Sequence, residues 1–177
     1  SVMASILKVN TIQDATNSTT AMTIDSSGRV TQPVLPCWSV EGISGTLSAN
    51  AIFNWSNNNN GSDVFSFVQG GVTWSGGSDY KITVPISGKY LVNVSTNMRS
   101  TNSSHSIYFN LYKNGTAIAS TYTTREDGAS QQFDNYSLSY IIALAASDYL
   151  QVKAGNQNIN FPNNANTGGF FNGHLLG

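Results

Sequence analysis

The sequence predicts an all-β protein, an antiparallel β-sandwich or jelly roll, preceded by a short β-rich segment. Three observations carry that expectation. Apolar residues alternate with polar ones in short segments, the period of a half-buried strand. Gly, Pro and Asn-Gly turn signals separate those segments at short spacing. No stretch holds the apolar period of an amphipathic helix.

Taken in order, residues 1–32 hold two apolar bursts, 6–12 and 21–25, around the polar stretch 14–20, and Ser26-Ser27-Gly28 makes a tight turn. A two-stranded unit is marginal alone in water. This segment is therefore expected to attach to something larger, with Leu7, Val9, Ile12 and Ile24 as its apolar contacts. Pro33 and Pro36 stiffen residues 33–37, read as a linker, and residues 38–177 form the head. Strands are expected at 65–68, 80–84, 89–98, 106–112, 117–123, 136–144, 149–154 and 170–176. In 89–98, Tyr90, Val92 and Val94 share one face, with Leu91 opposite. Asn114-Gly115 between two apolar runs predicts a type I′ hairpin, because both residues tolerate positive φ. The Asn-rich stretches 57–61 and 156–166 read as solvated or ligand-facing loops. The apolar run ending at Leu176 calls for burial, in a central strand or at a seam between subunits.

Composition narrows function. Charged residues are 10% of the chain, against a usual fraction of about 25%, and Asn, Ser, Thr and Gly take the space. With a net charge of −1, nothing draws a phosphate backbone, so nucleic acid is not an expected partner. No apolar run is long enough to span a membrane and no signal-peptide pattern opens the chain, which fits a protein exported within a particle. Cys37 is the single cysteine, expected as a buried thiol; it permits neither an intrachain disulfide nor a zinc site.

Catalytic signals are weak. His105 lies in a polar turn and His174 in the last strand; neither belongs to a hydrolase or metalloprotease motif. Glu126-Asp127 is an adjacent pair in a Gly-ended loop, without the separation that two glycosidase carboxylates need. The chain lacks the alternating Asp run of a calcium loop. No enzyme activity, metal or cofactor is expected.

Two resemblances add to this reading. Tyr80-x-Ile82-x-Val84-Pro85-x-x-Gly88-x-Tyr90-Leu91, Leu111 to Gly115, Leu144 to Val152 and Phe170 to Leu176 together resemble the tumour necrosis factor-like jelly roll, in the form of the globular heads of complement's collagen-like recognition protein. In the third segment Ser147 stands where that family has Gly before Asp. The N-terminal Ile6-Leu7-Lys8-Val9-Asn10-Thr11-Ile12 and Met22-Thr23-Ile24-Asp25-Ser26-Ser27-Gly28-Arg29-Val30 resemble the leader of bacteriophage tail-fibre and other virion proteins. The first resemblance implies a homotrimer. The second implies attachment to a phage particle, at whose surface the protein is expected.

Aromatic residues are 11% of the chain, more than one sandwich packs inward. The excess is expected to meet sister copies about a cyclic axis, with Tyr108, Tyr140, Phe170 and Phe171 at the contact. The expected function is a non-enzymatic, homotrimeric fibre or spike head that binds host-surface carbohydrate through Trp55, Asn58, Trp74, Tyr122 and Asn164. Its expected partners are its own copies, other virion proteins and that carbohydrate. The alternative is a decoration protein that cements the phage capsid, a reading favoured by the shortness of the segment before the linker.

Overall fold

The computed structural model describes residues 8–16, 18, 20–32, 35–55, 65–77, 79–101, 106–122, 133–162 and 168–177. The chain divides into two compact units, Ser1–Leu35 and Pro36–Gly177.

In the first unit, β1 (Thr11–Gln13), β2 (Thr20–Ile24) and β3 (Val30–Thr31) form a three-stranded antiparallel sheet. The turn between β2 and β3 is organised by Asp25. Its carboxylate accepts from the Ser27 and Arg29 amides at 2.8 and 2.9 Å and from Arg29 Nε at 2.6 Å. Those bonds, the Arg29 amide first, hold the Asp25 carboxyl below its usual range. The Thr23 and Thr31 hydroxyls meet across the adjoining pair. Val9 and Ile24 are half-buried and Ile12 is exposed; Leu7 lies outside the described residues. Of the first apolar burst, 6–12, Thr11 and Ile12 enter β1, which runs on to Gln13, while Ile6 and Leu7 lie outside the described residues.

The second unit is a two-layer sandwich. Its strands are β4 (Cys37–Glu41), β5 (Gly45–Leu47), β6 (Phe65–Gln69), β7 (Thr73–Ser75), β8 (Lys81–Thr83), β9 (Gly88–Ser100), β10 (Phe109–Lys113), β11 (Thr116–Ser120), β12 (Asp134–Leu144), β13 (Tyr149–Ala154), β14 (Ile159–Phe161) and β15 (Gly169–Leu175). One sheet runs β5-β14-β9-β15-β4-β6, with β12 also paired to β9. The other runs β11-β10-β13-β8-β7. Every pairing within these sheets is antiparallel.

Alternation builds the core between the layers. Along β9, Tyr90, Val92, Val94, Thr96 and Met98 are buried and the residues between them are not. Across the gap lie Ile82, Phe109, Leu111, Leu150 and Val152. A chain of rings joins the sheets: Tyr90 meets Trp38, Trp38 meets Phe171, Phe171 meets Trp55, Trp55 meets Phe53 and Phe53 meets Phe109, with centroids 5.6 to 6.2 Å apart. The apolar C-terminal run becomes β15, flanked on both edges by β9 and β4. Gly173 leaves room there for the Trp38 indole, with which any Cβ would collide.

The hairpin forms as its sequence predicts: Lys113 pairs Thr116 around Asn114 (φ 49°) and Gly115 (φ 81°). Three expectations are corrected. The linker does not extend through Cys37, which opens β4 by pairing with Gln69 and His174. Its thiol is half-buried rather than enclosed, and that burial raises its pKa. The stretch 156–166 is not a solvated loop throughout, because Ile159 and Phe161 are buried as β14, paired to β5 and β9. Residues 57–61 lie outside the described residues.

Candidate functional site

The outer face of the sheet β12-β9-β15-β4-β6 is the first candidate. Leu91 of β9 is in register with Ile141 and His174, Asn93 with Ser139 and Asn172, Ser95 with Ser137 and Phe170, and Asn97 with Asn135. On β15, His174, Asn172 and Phe170 oppose Cys37, Ser39 and Glu41. In the rows from Leu91 to Asn97 the described residues hold one carboxylate, Glu41, and no lysine or arginine; Lys89 and Arg99 stand at the two ends of the same face of β9. The polar groups are bonded to one another. Ser139 Oγ donates to Asn93 Oδ1 at 2.8 Å and Asn93 Nδ2 donates to Asn172 Oδ1 at 3.1 Å. Asn135 Nδ2 reaches Ser95 Oγ at 3.2 Å and Asn97 Oδ1 at 3.3 Å. Around this ladder Ile141 is 59% exposed, Phe67 47% and Phe170 37%. An open groove of about 430 Å³ runs between Asn93, Asn135, Ser139, Asn172 and Phe170.

The outer face of the second sheet is different. Lys153 Nζ lies over the Tyr112 ring at 4.4 Å and Lys81 Nζ over the Tyr149 ring at 5.3 Å. Lys81 is also paired with Asp79 at 2.9 Å. At one end of this sheet, with no cation over either ring among the described residues, Tyr108 and Tyr122 stack at 5.7 Å with their planes tilted by 38°. The Tyr122 and Ser106 hydroxyls are 2.7 Å apart, and the Tyr108 hydroxyl accepts from the Asn156 amide at 3.3 Å.

Of the residues expected to bind a ligand, Tyr122 is the one the structure presents, at 65% exposure. Trp55 is corrected: it is fully buried among Phe53 and Phe171, because the ring chain between the sheets needs a large apolar body there. Trp74 of β7 is half-buried against the core and faces Tyr80 at 5.9 Å, so it too serves packing. Asn58 and Asn164 lie outside the described residues, as do His105 and the Glu126-Asp127 pair.

Of the residues expected at a subunit contact, Phe170 lies on the outer face and Tyr140 is exposed on the edge strand β12, opposite Val92. Phe171 is corrected: it alternates inward and is fully buried against Trp38. Tyr108 precedes β10 in the other sheet, so it shares no surface row with Phe170. Sequence reasoning missed Ile141, Phe67 and the amide ladder. Ile141 carries a signal, since it breaks the alternation of 136–144 with an apolar residue on the polar side. The ladder joins positions 79 apart, Asn93 and Asn172, and has no local signature.

No protein-family model matches the chain, and no curated protein matches it. Among solved structures, the Eiger TNF of S. frugiperda is similar at 15% identity with a TM-score of 0.59, covering 81% of this chain and 93% of that one. At that identity the likeness shows the fold, a tumour necrosis factor-like jelly roll.

Proposed function

We propose that this chain is a non-enzymatic structural protein of a phage particle, whose jelly-roll head assembles as a homotrimer and binds host-surface carbohydrate. The observation that carries the assembly is the outer face centred on β9. Its amides and hydroxyls are already bonded to each other, so covering them strands few polar groups. Its exposed Ile141, Phe67 and Phe170 gain from being covered. The rows between Lys89 and Arg99 are neutral along β9, and that neutral centre favours a copy of the same surface over a charged partner. A three-fold ring uses a heterologous contact, so the edge residue Tyr140 and the face residue Phe170 meet different parts of the neighbouring copies. The jelly-roll likeness is compatible with such a head. The resemblance of residues 6–30 to virion-protein leaders supports the placement on a particle.

The test is size-exclusion chromatography with light scattering on the full chain. The expected mass is that of three protomers; a stable monomer at micromolar concentration overturns the reading. A second reading, a capsid decoration protein, is favoured by the first unit, a compact sheet with Ile12 and Val30 exposed, which suits docking on a shell better than extending a stem. Electron microscopy of the intact particle with labelled protein separates the two: label on the head supports decoration, label on the tail supports a fibre.

A further inference from the structure

We propose that the Tyr108–Tyr122 pair is the carbohydrate platform of the head, and that it takes the apolar face of a neutral pyranose. This site rests on the carbohydrate-binding part of the function proposed above. The geometry is a stack built outward from the backbone. Gly155 forms its base: its amide donates to the Tyr108 carbonyl at 2.9 Å. A Cβ at position 155 would stand 2.7 Å from three atoms of the Tyr108 ring, so only glycine lets that ring lie flat on the chain. Tyr122 packs on Tyr108 and is 65% exposed.

Three features separate this arrangement from an ordinary surface tyrosine. First, the ring is held. Thr121 donates its amide to the Phe109 carbonyl at 3.0 Å and its hydroxyl accepts from the Phe109 amide at 3.2 Å, which fixes the backbone beside Tyr122. Ser106 fixes the phenol oxygen. A ring already ordered presents contact area with little further loss of side-chain freedom. Second, among the described residues no cation lies over these two rings: Lys81 and Lys153 lie over Tyr149 and Tyr112, and Lys113 is paired with Asp148. An electron-rich ring face without a competing cation suits the weakly positive C–H groups on one face of a sugar. Third, hydroxyl-bonding groups rim the ring: the Ser106 and Tyr122 hydroxyls and the Tyr108 phenol. Such groups both donate and accept, as sugar hydroxyls do.

The experiment uses the full chain. Methyl β-D-galactopyranoside, methyl β-D-glucopyranoside and methyl α-D-mannopyranoside are titrated to tens of millimolar, with the tyrosine ring signals read by NMR. The same protein is applied to an array of neutral and acidic glycans. At least one neutral probe is expected to shift the signals of Tyr108 and Tyr122. Tyr122→Ala is expected to weaken that response by about tenfold or more, and Tyr122→Phe, which keeps the ring, by only about threefold. Unchanged circular dichroism and trimer mass in both variants show that the fold is intact. Undiminished binding by Tyr122→Ala overturns this site while leaving carbohydrate recognition standing. Binding confined to acidic glycans overturns the neutral class. Silence of the unaltered protein on every glycan overturns the site and the carbohydrate reading together, and leaves the trimer to its own measurement.

Discussion

Asp148 shows how one side chain can fasten two turns. Its carboxylate accepts from Lys113 Nζ at 2.9 Å, Asn114 Nδ2 at 2.6 Å and the Ala145 amide at 2.7 Å. Lys113 leads these in holding its pKa at about 2, against 3.8 for a free side chain. A depressed carboxylate pKa contributes stability above the unfolded value and loses it as pH falls through the folded one. That contribution, about 1–2 kcal/mol after allowance for solvent screening, is complete above roughly pH 5 and fades between about pH 4 and pH 2. Asp148→Asn is expected to lower stability by a similar amount at neutral pH and to flatten the acid limb of a thermal-denaturation pH series. An unaltered acid limb would contradict the assignment. The neighbouring Ser147 has φ 72°, where the resembling family carries Gly. A left-handed non-glycine residue costs about 1–2 kcal/mol, partly offset by the extra unfolded-state freedom of glycine. Ser147→Gly is therefore expected to stabilise the head by up to about 1 kcal/mol in urea denaturation. The Asn-Gly turn was legible in the sequence because its signal is local. Asp148 was legible only as a member of a segment, since its hydrogen bond to Asn114 spans 34 positions.

Strands were legible in proportion to their length and alternation. Thirteen-residue β9 repeats its buried positions from Tyr90 to Ser100, and its inward set follows from period two alone. Three-residue β14 offers only Ile159-Asn160-Phe161 inside an Asn-rich stretch, too short for a period to register. Its burial comes from pairing with β5 and β9, far away in sequence. The consequence is measurable at Phe161. The ring is fully buried, edge-on to Phe53 at 5.3 Å, so Phe161→Ala should cost about 3–5 kcal/mol in chemical denaturation. A loss below about 1 kcal/mol would place the stretch back in solvent, as composition alone had it. Trp55 teaches the converse. Its flanking Asn residues resemble a ligand loop, yet the space between the sheets claims the indole.

At the scale of the molecule, the two outer faces divide the available chemistry, and alternation could not say which would be which. Both alternate outward with inward positions, and only the cross-strand register shows Lys81 and Lys153 over tyrosines on one face and amides gathered into a ladder on the other. The ladder face makes the proposed trimer a hydrophobic and neutral-polar association rather than an ionic one. Its stability should therefore hardly change between about 0.05 and 1 M salt, where surface ion pairs are progressively screened. Ile141 is the sharpest probe, because its side chain is more than half exposed in the protomer and contributes little to the folded core. Ile141→Lys is expected to leave the circular dichroism spectrum of the isolated head intact. Placing one charge per copy in a neutral contact should convert the trimer to monomer in light scattering at micromolar concentration. A trimer that survives Ile141→Lys but dissociates in high salt would mean that copies meet through the sheet of Lys81 and Lys153 instead, and the carbohydrate platform beside it would then have to be sought on the amide face.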